Sequence, residues 1–163
     1  MKPENLVWNI KSKYIQTLNE ELTIPITKLD YENIEKTNNW NYVIGGVVYF
    51  INLEGTDFYK IGISSTKKSF LTRLNVFKTA MPFDIKIITA IYLEKGISEP
   101  AIHIEKFLHN YFKKQRKIRE WFTFNKNEVF AIYEFLAFEL DIWDYEINYE
   151  LEEMITENEK TGN

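Results

Sequence analysis

The sequence predicts a single α+β domain, in which a small and mainly antiparallel sheet of three strands is flanked by helices. Several segments carry apolar residues at helical spacing, and short runs rich in β-branched and aromatic residues lie between turn residues. The chain of 163 residues, 16% of them aromatic, is long enough to bury a core. These observations favour one compact domain that carries extensions at both ends.

The first predicted element is a helix over residues 3–21, which has a proline in its first turn and apolar residues at every third or fourth position. A later proline ends this pattern, and Asp30 is a candidate cap for a short second helix. We divide the chain into an N-terminal helical extension (1–45), a core (46–125) and a C-terminal helix with an acidic tail (126–163).

The core begins with two strands, over residues 47–53 and 58–63, that turn-forming residues separate. Such an arrangement is typical of a β-hairpin. A helix over 67–78 follows, with its aromatic and leucine residues on one stripe, and then an isoleucine-rich strand over 85–93. These elements supply the three predicted strands.

A second core helix is predicted to begin at Ser98, a residue type that is favoured as an N-cap. Residues 120–124 are short and extended. Asn125 and Glu128 have the spacing of a capping box and predict the start of a long helix. From about residue 150 the chain becomes acidic, and we expect it to fray.

The net charge of −4 hides a strong segregation of charge. Residues 58–126 hold 14 basic and five acidic residues, whereas residues 127–163 hold one lysine and 11 acidic residues. The basic block predicts a polyanionic partner, DNA; the alternative is a solvated lysine-rich surface. The acidic tail is either a solubilising appendage or a segment, over 139–159, that covers the basic face and competes with DNA. The candidate DNA-binding residues are Lys60, Lys67, Lys68, Lys113, Lys114, Arg116, Lys117 and Arg119.

The composition excludes several classes of protein. With no cysteine there is no disulfide, no cysteine-ligated zinc and no thiol nucleophile, and two histidines nearly exclude a multi-histidine metal site. No stretch of about 18 apolar residues is present to span a membrane. We therefore expect a soluble, cytoplasmic protein with no membrane partner.

Five polar residues of the basic block are candidates for chemistry: Tyr49, Tyr59, Arg73, Glu105 and His109. Glu105 and His109 are four apart on one predicted helix and therefore share a face. Part of that face is apolar, so a carboxylate there needs a partner or a metal. Taken singly, each residue also has a structural interpretation, because strand tyrosines commonly pack and helix arginines are commonly solvated.

Taken in order, these residues resemble the GIY-YIG nuclease superfamily, and more closely its small phage and bacterial branch. The resemblance covers residues 46–125, and the first motif departs from it by reading Val-Val-Tyr-Phe after Gly46. The motifs that carry it are Val48-Tyr49-Phe50, the Tyr59–Gly62 tetrapeptide, Arg73, Glu105 with His109, and Glu120-Trp121-Phe122.

The resemblance implies an endonuclease that hydrolyses DNA phosphodiester bonds with Mg²⁺ or Mn²⁺. Glu105 would be the metal ligand, since Mg²⁺ needs few carboxylates and keeps several waters. Arg73 would clamp the scissile phosphate, and Tyr49 would act as general base. Because a free tyrosine has a pKa of about 10, it would need activation by a metal or a cation. Tyr59 would contact the phosphate or order the water, and His109 would orient Glu105 or its water.

The register of the hairpin tests this interpretation, because side chains alternate between the faces of a strand. If Leu53 pairs with Asp57, Tyr49 and Tyr59 lie on one face of the sheet. If Leu53 pairs with Phe58, the two tyrosines lie on opposite faces. The nuclease hypothesis prefers the first register, unless a bulge intervenes, and two hydroxyls on opposite sides of the sheet would count heavily against it.

Two other functions remain open from the sequence. The first is a non-catalytic nucleic-acid-binding module on the same fold, which would use the basic face without turnover. The second is a protein-interaction module that forms a homodimer through its aromatic terminal helices.

Overall fold

A computed structural model of the chain describes residues 2–21, 46–93, 101–140 and 145–161. The described residues include a 3₁₀ turn, Lys113–Gln115, and a π-helical segment, Phe135–Glu139. The predicted helix near Asp30 and the predicted cap Ser98 lie outside the described residues. In chain order the elements are α1 (Pro3–Glu21), β1 (Gly46–Leu53), β2 (Phe58–Ser64), α2 (Lys67–Ala80), β3 (Ile85–Leu93), α3 (Ala101–Tyr111), β4 (Arg116–Ile118), β5 (Trp121–Thr123), α4 (Lys126–Glu134) and α5 (Tyr145–Thr161).

The strands form one antiparallel sheet in the order β3-β1-β2-β5-β4, flanked by helices. The predicted α+β class is therefore confirmed. The sheet is wider than the three strands expected, because the short hairpin β4–β5 adds to it. Strand β5 pairs with β2 over Phe58–Lys60, and the second half of β2 extends beyond this pairing.

Alternation along the strands divides the core between two faces of the sheet. Phe50 and Ile61 belong to the face covered by α1, α3 and α4, which we call the α3 face. Tyr49, Ile51 and Phe70 belong to the face covered by α2 and α5, which we call the α2 face. Among the described helices, none has both the length and the apolar character needed to cross a bilayer.

The β1–β2 turn is held by side chains that bond to its backbone. Asn52 donates from Nδ2 to the carbonyls of Thr56 and Phe58, at 3.0 and 2.9 Å. Thr56 donates from Oγ1 to the Leu53 carbonyl at 2.7 Å. These bonds fix the register in which Asn52 pairs with Tyr59.

The acidic C-terminal segment is a packed helix, and the expected fraying from residue 150 is wrong. Leu151 and Ile155, one turn apart on α5, are buried against the α2 face. Asn148 is buried beside them and accepts a hydrogen bond from the backbone N–H of Tyr92 at 2.9 Å. Two apolar residues at i and i+4 therefore anchor a helix whose other positions are strongly acidic.

Local capping signals determine where two helices begin. Thr66 caps α2 by accepting from the Ser69 N–H at 3.0 Å. The predicted capping box of α4 is confirmed, because Asn125 and Glu128 each accept from the other's backbone N–H, at 2.9 and 3.0 Å. An N-cap of this kind stabilises a helix by about 1 kcal/mol.

Candidate functional site

The two tyrosines of the expected site lie on opposite faces of the sheet. Tyr49 pairs with Gly62, and Tyr59 pairs with Asn52. Tyr49 therefore faces α2, whereas Tyr59 lies on the α3 face with its ring stacked on Phe50 at 5.5 Å. The expectation that both hydroxyls converge is wrong, because the turn bonds of Asn52 select the other register.

Gly62 leaves room for the Tyr49 ring. A Cβ built on Gly62 would lie 2.8 Å from Cε2 of Tyr49 and closer still to Cζ and the hydroxyl oxygen. Side chains essentially never approach so closely, so the glycine allows the phenol to cross the neighbouring strand. The tyrosine thereby reaches the side of β2 that faces away from β1.

The Tyr49 hydroxyl is fully buried and, among the described residues, makes no hydrogen bond of good geometry. Burial raises the pKa of Tyr49 to about 12, and the nearby Arg73 guanidinium acts in the opposite direction. A buried hydroxyl without a partner is costly and commonly marks a functional position. The cation beside it is the group that could stabilise a phenolate.

Two side chains from opposite faces meet at the open edge of β2. Arg73 of α2 donates from Nη1 to the Ile63 carbonyl at 3.4 Å. His109 of α3 lies with Nε2 2.7 Å from the Ile61 carbonyl. Carbonyls two residues apart on a strand point to the same edge, and β5 no longer pairs with β2 there. The end of the β2–β5 ladder thus opens a position where α2 and α3 approach each other.

His109 is held as a neutral donor at this edge. A carbonyl only accepts, so the bond to Ile61 requires the hydrogen on Nε2. Burial lowers the pKa of His109, although the bond to Ile61 acts in the opposite direction. The imidazole also packs on Phe122, with ring centroids 5.1 Å apart. This geometry suits a positioning residue.

Glu105 lies one helical turn before His109 on α3. Its pKa is raised to about 7, first by burial and then by the charge of Glu120, while Lys60 and Arg73 act to lower it. Glu105 therefore lies within electrostatic reach of four charged groups, of which Lys106 is its neighbour on α3 and the other three come from elsewhere in the fold. A partly buried carboxylate of this kind is a candidate ligand for a cation.

Lys60 is a member of this cluster. Its side chain is buried, forms an ion pair with Glu120 at 3.1 Å and lies 4.7 Å from the centre of the Phe77 ring. It precedes Gly62 by two residues and therefore shares the face of Tyr49. From the sequence Lys60 is a DNA-binding candidate and only a second-choice participant in the chemistry, and Glu120 has no role beyond its motif. A correct hairpin register would place Lys60 on the face of Tyr49.

An open groove of about 630 Å³ adjoins the cluster along α2. Cations and hydroxyls line one part of it, and apolar side chains line the other. Such a mixed lining suits a phosphate attached to an apolar sugar or base. The groove is lined by Lys60, Thr66, Lys68, Ser69, Thr72, Arg73, Val76 and Phe77.

The candidate DNA-binding residues divide into three sets. Lys60 and Lys68 line the groove. Lys67 points to the opposite side of α2, where it pairs with Glu150 at 2.8 Å, so it does not belong to the groove. The remaining five are exposed on the 3₁₀ turn and the β4–β5 hairpin, namely Lys113, Lys114, Arg116, Lys117 and Arg119.

A magnesium ion fits the chemistry of this cluster. Among the described residues there is no group of three or more histidine and acidic side chains that could hold a metal. Glu105 and Glu120 are nonetheless close enough for the charge of Glu120 to raise the pKa of Glu105. Mg²⁺ is commonly bound by one or two carboxylates, with waters and substrate phosphates as the other ligands. The oxygen donors therefore suit a hard cation and do not suit zinc.

Comparison with known proteins gives one match. Neither the proteins of curated function nor the solved structures include one that matches the chain. A family model, described as the T5orf172 domain, matches residues 46–137, which is more than half of the chain. The match contains every residue of the cluster described above. The chain therefore belongs to the T5orf172 domain family, a phage-associated and nuclease-related group.

Proposed function

We propose that this protein is a metal-dependent DNA endonuclease of the GIY-YIG type. The observation that carries the proposal is the convergence of Tyr49, Lys60, Arg73 and Glu105 at the open edge of β2, beside a cationic groove. The nuclease-related family supports the same reaction class.

In this proposal the groove holds the DNA strand through its phosphates. Arg73 lies between the Tyr49 hydroxyl and the groove, where its guanidinium can hold two oxygens of one phosphate. Lys68 and the hydroxyls of Thr66 and Ser69 lie along the same groove and can hold the adjacent phosphate. Arg73 would also stabilise the negative charge that develops on the phosphate during attack.

Glu105 would bind the metal, with Glu120 as the second carboxylate nearby. When bound there, Mg²⁺ or Mn²⁺ would stabilise the charge on the leaving oxygen as a Lewis acid. Lys60 neutralises Glu120 through their ion pair and so limits the repulsion between the two carboxylates. His109 would act as a positioning residue that holds α3, and with it Glu105, against the edge of β2.

Tyr49 would accept a proton from the attacking water. With a pKa of about 12, a value to which Arg73 already contributes, the phenol is protonated at neutral pH, so it must first release its own proton to solvent, which the positive charge of a bound metal would favour. Tyr59 has no part in this proposal, because its ring packs on Phe50 and Phe124 and its pKa is raised by burial and by the charge of Asp57, which does not belong to the cluster.

The test is incubation of the protein with supercoiled, linear and branched DNA in the presence of Mg²⁺ or Mn²⁺. We expect cleavage by the wild type and loss of at least about 100-fold in Glu105→Gln. Glu153→Gln, an exposed change of the same kind on α5, is the matched control and should cut normally. Equal activity of Glu105→Gln and the control, or no cleavage of any substrate by the wild type, would overturn the proposal.

The complete burial of the Tyr49 hydroxyl favours a second candidate, a nucleic-acid-binding module without turnover. Such a module would bind DNA through the groove and the exposed cations. Tight and salt-sensitive binding without cleavage would support it. The homodimer through terminal helices stays a prediction, for which Trp8 and Ile15 offer exposed apolar positions on α1.

A further inference from the structure

The β4–β5 hairpin projects a short tip beside the candidate site. Ile118 pairs with Trp121, so Arg119 and Glu120 form a two-residue loop. Strand β5 pairs with β2, and Glu120 contacts Lys60 at 3.1 Å. The tip is therefore fixed to the groove by both a strand ladder and an ion pair.

The surface of the tip combines one exposed apolar side chain with many cations. Ile118 is 63% exposed and lies between Lys117 and Arg119 in the chain. The segment 113–119 contains five cations and no acidic residue. The cations around this aliphatic side chain would repel a basic partner. A DNA duplex instead offers phosphates to the cations at the rim of its groove and stacked bases to the aliphatic side chain inside it.

We propose that the hairpin tip enters the minor groove of DNA and inserts Ile118 against a base step close to the bond to be cut. The cations on either side hold the phosphates of the two strands, and Ile118 partly unstacks the step. The position of the cut relative to the wedge rests on the proposed function, but the wedge itself needs only DNA binding.

The wedge defines a class of preferred substrates. Ile118 is two residues from Glu120, which contacts Lys60 of the groove, and two residues span at most about 7 Å, so the wedge lies within a few base steps of the groove. Unstacking a base step costs less where the step is already disturbed. DNA with a mismatch, a nick or a branch point near the cut should therefore bind more tightly than a perfect duplex.

The experiment uses the full chain with Glu105→Gln, so that DNA is bound without being cut, and duplexes that carry 2-aminopurine, whose fluorescence rises when it is unstacked. We expect binding to raise the fluorescence at one position and Ile118→Ala to remove that rise. Affinity for a mismatched duplex should fall by about tenfold in Ile118→Ala, and less for a perfect duplex, because insertion there also costs the unstacking of an intact base step. Ile118→Leu should retain the signal, and Phe83→Ala, at an exposed apolar residue between α2 and β3, is the matched control.

A change at Lys117 separates the cationic contacts from the apolar one. Lys117→Ala should weaken binding to all DNA sequences and reduce the salt slope by about one. Ile118→Ala should leave the salt slope unchanged. An unchanged 2-aminopurine signal in Ile118→Ala, or an unchanged DNA affinity in Lys117→Ala, would overturn the wedge. A protein would then be the partner that binds the tip.

Failure of the wedge and failure of the proposed function give different results. If the protein is not a nuclease, the wild type does not cut, but the 2-aminopurine signal persists and still depends on Ile118. If the wedge is wrong, the wild type cuts perfect and mismatched duplexes equally, and Ile118→Ala cuts both as the wild type does.

Discussion

The aromatic ring of Tyr49 lies across the backbone of Gly62, its partner on the adjacent strand. Gly62→Ala should therefore destabilise the protein by about 1–3 kcal/mol, because the new methyl group overlaps the ring. In a Tyr49→Leu background, which lacks the overlapping ring atoms, the same substitution should cost much less. Urea denaturation of the four proteins of this cycle measures the coupling. A loss of equal size in both backgrounds would contradict the contact.

Tyr49→Phe and Tyr59→Phe should differ strongly in their effect on DNA cleavage. Removing the Tyr49 hydroxyl should lower the rate at least about 100-fold, the usual contribution of a general base. Removing the Tyr59 hydroxyl, on the other face, should leave the rate unchanged. Tyr49→Phe should change stability by no more than about 1 kcal/mol, because the removal of a poorly satisfied buried hydroxyl is offset by the loss of its interaction with the Arg73 guanidinium. A cleavage assay and a thermal melt of each variant measure the two effects. A Tyr49→Phe variant that cuts DNA as the wild type does would exclude Tyr49 as the general base.

Glu105 should make the stability of the protein depend on pH in an unusual direction. Burial raises its pKa from 4.5 to about 7, so the folded state binds the proton more tightly between these values. The contribution of the Glu105 carboxyl to the free energy of unfolding is fully present below pH 4.5 and is lost as the pH rises through 7. Glu105→Gln should therefore be more stable than the wild type at pH 8, by about 1–2 kcal/mol after allowance for solvent screening, and equal to it at pH 4. Denaturation at the two pH values measures the difference, and a difference that does not change with pH would refute the assignment.

Arg119→Gly should separate stability from DNA binding. Arg119 has a φ of 54°, in the left-handed region that glycine adopts without strain. The substitution should therefore stabilise the fold, by about 1 kcal/mol, while the loss of a cation from the hairpin weakens DNA binding. Thermal melts and DNA titrations at several salt concentrations test the two effects, with Lys126→Gly at the start of α4 as a glycine control that should destabilise. A variant that is less stable than the wild type would show that the backbone is not strained there.

Deleting residues 145–163 should destabilise the protein by several kcal/mol, since Leu151 and Ile155 would no longer cover the α2 face.

The competing idea, that the tail covers the basic face, predicts higher DNA affinity when the charge of the tail is removed. Glu152 and Glu153 are exposed, and changing both to glutamine should leave DNA affinity unchanged at physiological salt, where the Debye length is about 8 Å. An increase in affinity would favour the competing idea.

Local signals in the sequence predicted local structure well. The capping box of Asn125 and Glu128 and the helix over 3–21 depend on neighbouring residues, and both are present. The hairpin register depends on whether the side chain of Asn52 bonds across the turn, and a shift of one residue moves every side chain to the other face. In the observed register Lys60 shares the face of Tyr49, whereas the expected register would have placed Tyr59 there.

The charge pattern led to a wrong prediction at the C-terminus, where fraying was expected. The high density of acidic residues suggested a solvated tail, yet two apolar residues at helical spacing suffice to anchor α5. The stabilisation that Leu151 and Ile155 provide depends on the face of the sheet that they cover. A count of charges along the sequence does not show that face. Arg73 and Glu105, whose charges act on each other, could be grouped only through the order of the motifs, since they come from helices on opposite faces of the sheet.

The hydrogen bond from the Tyr92 backbone to Asn148 has a consequence for solubility. Strand β3 is nine residues long and lies at the border of the sheet, where unpaired backbone groups can recruit a strand from another molecule and start aggregation. Helix α5 occupies one of those groups with the amide side chain of Asn148. A foreign strand that approached this border would find that donor already taken, so the contact that anchors α5 also removes one of the backbone groups that edge-to-edge pairing needs.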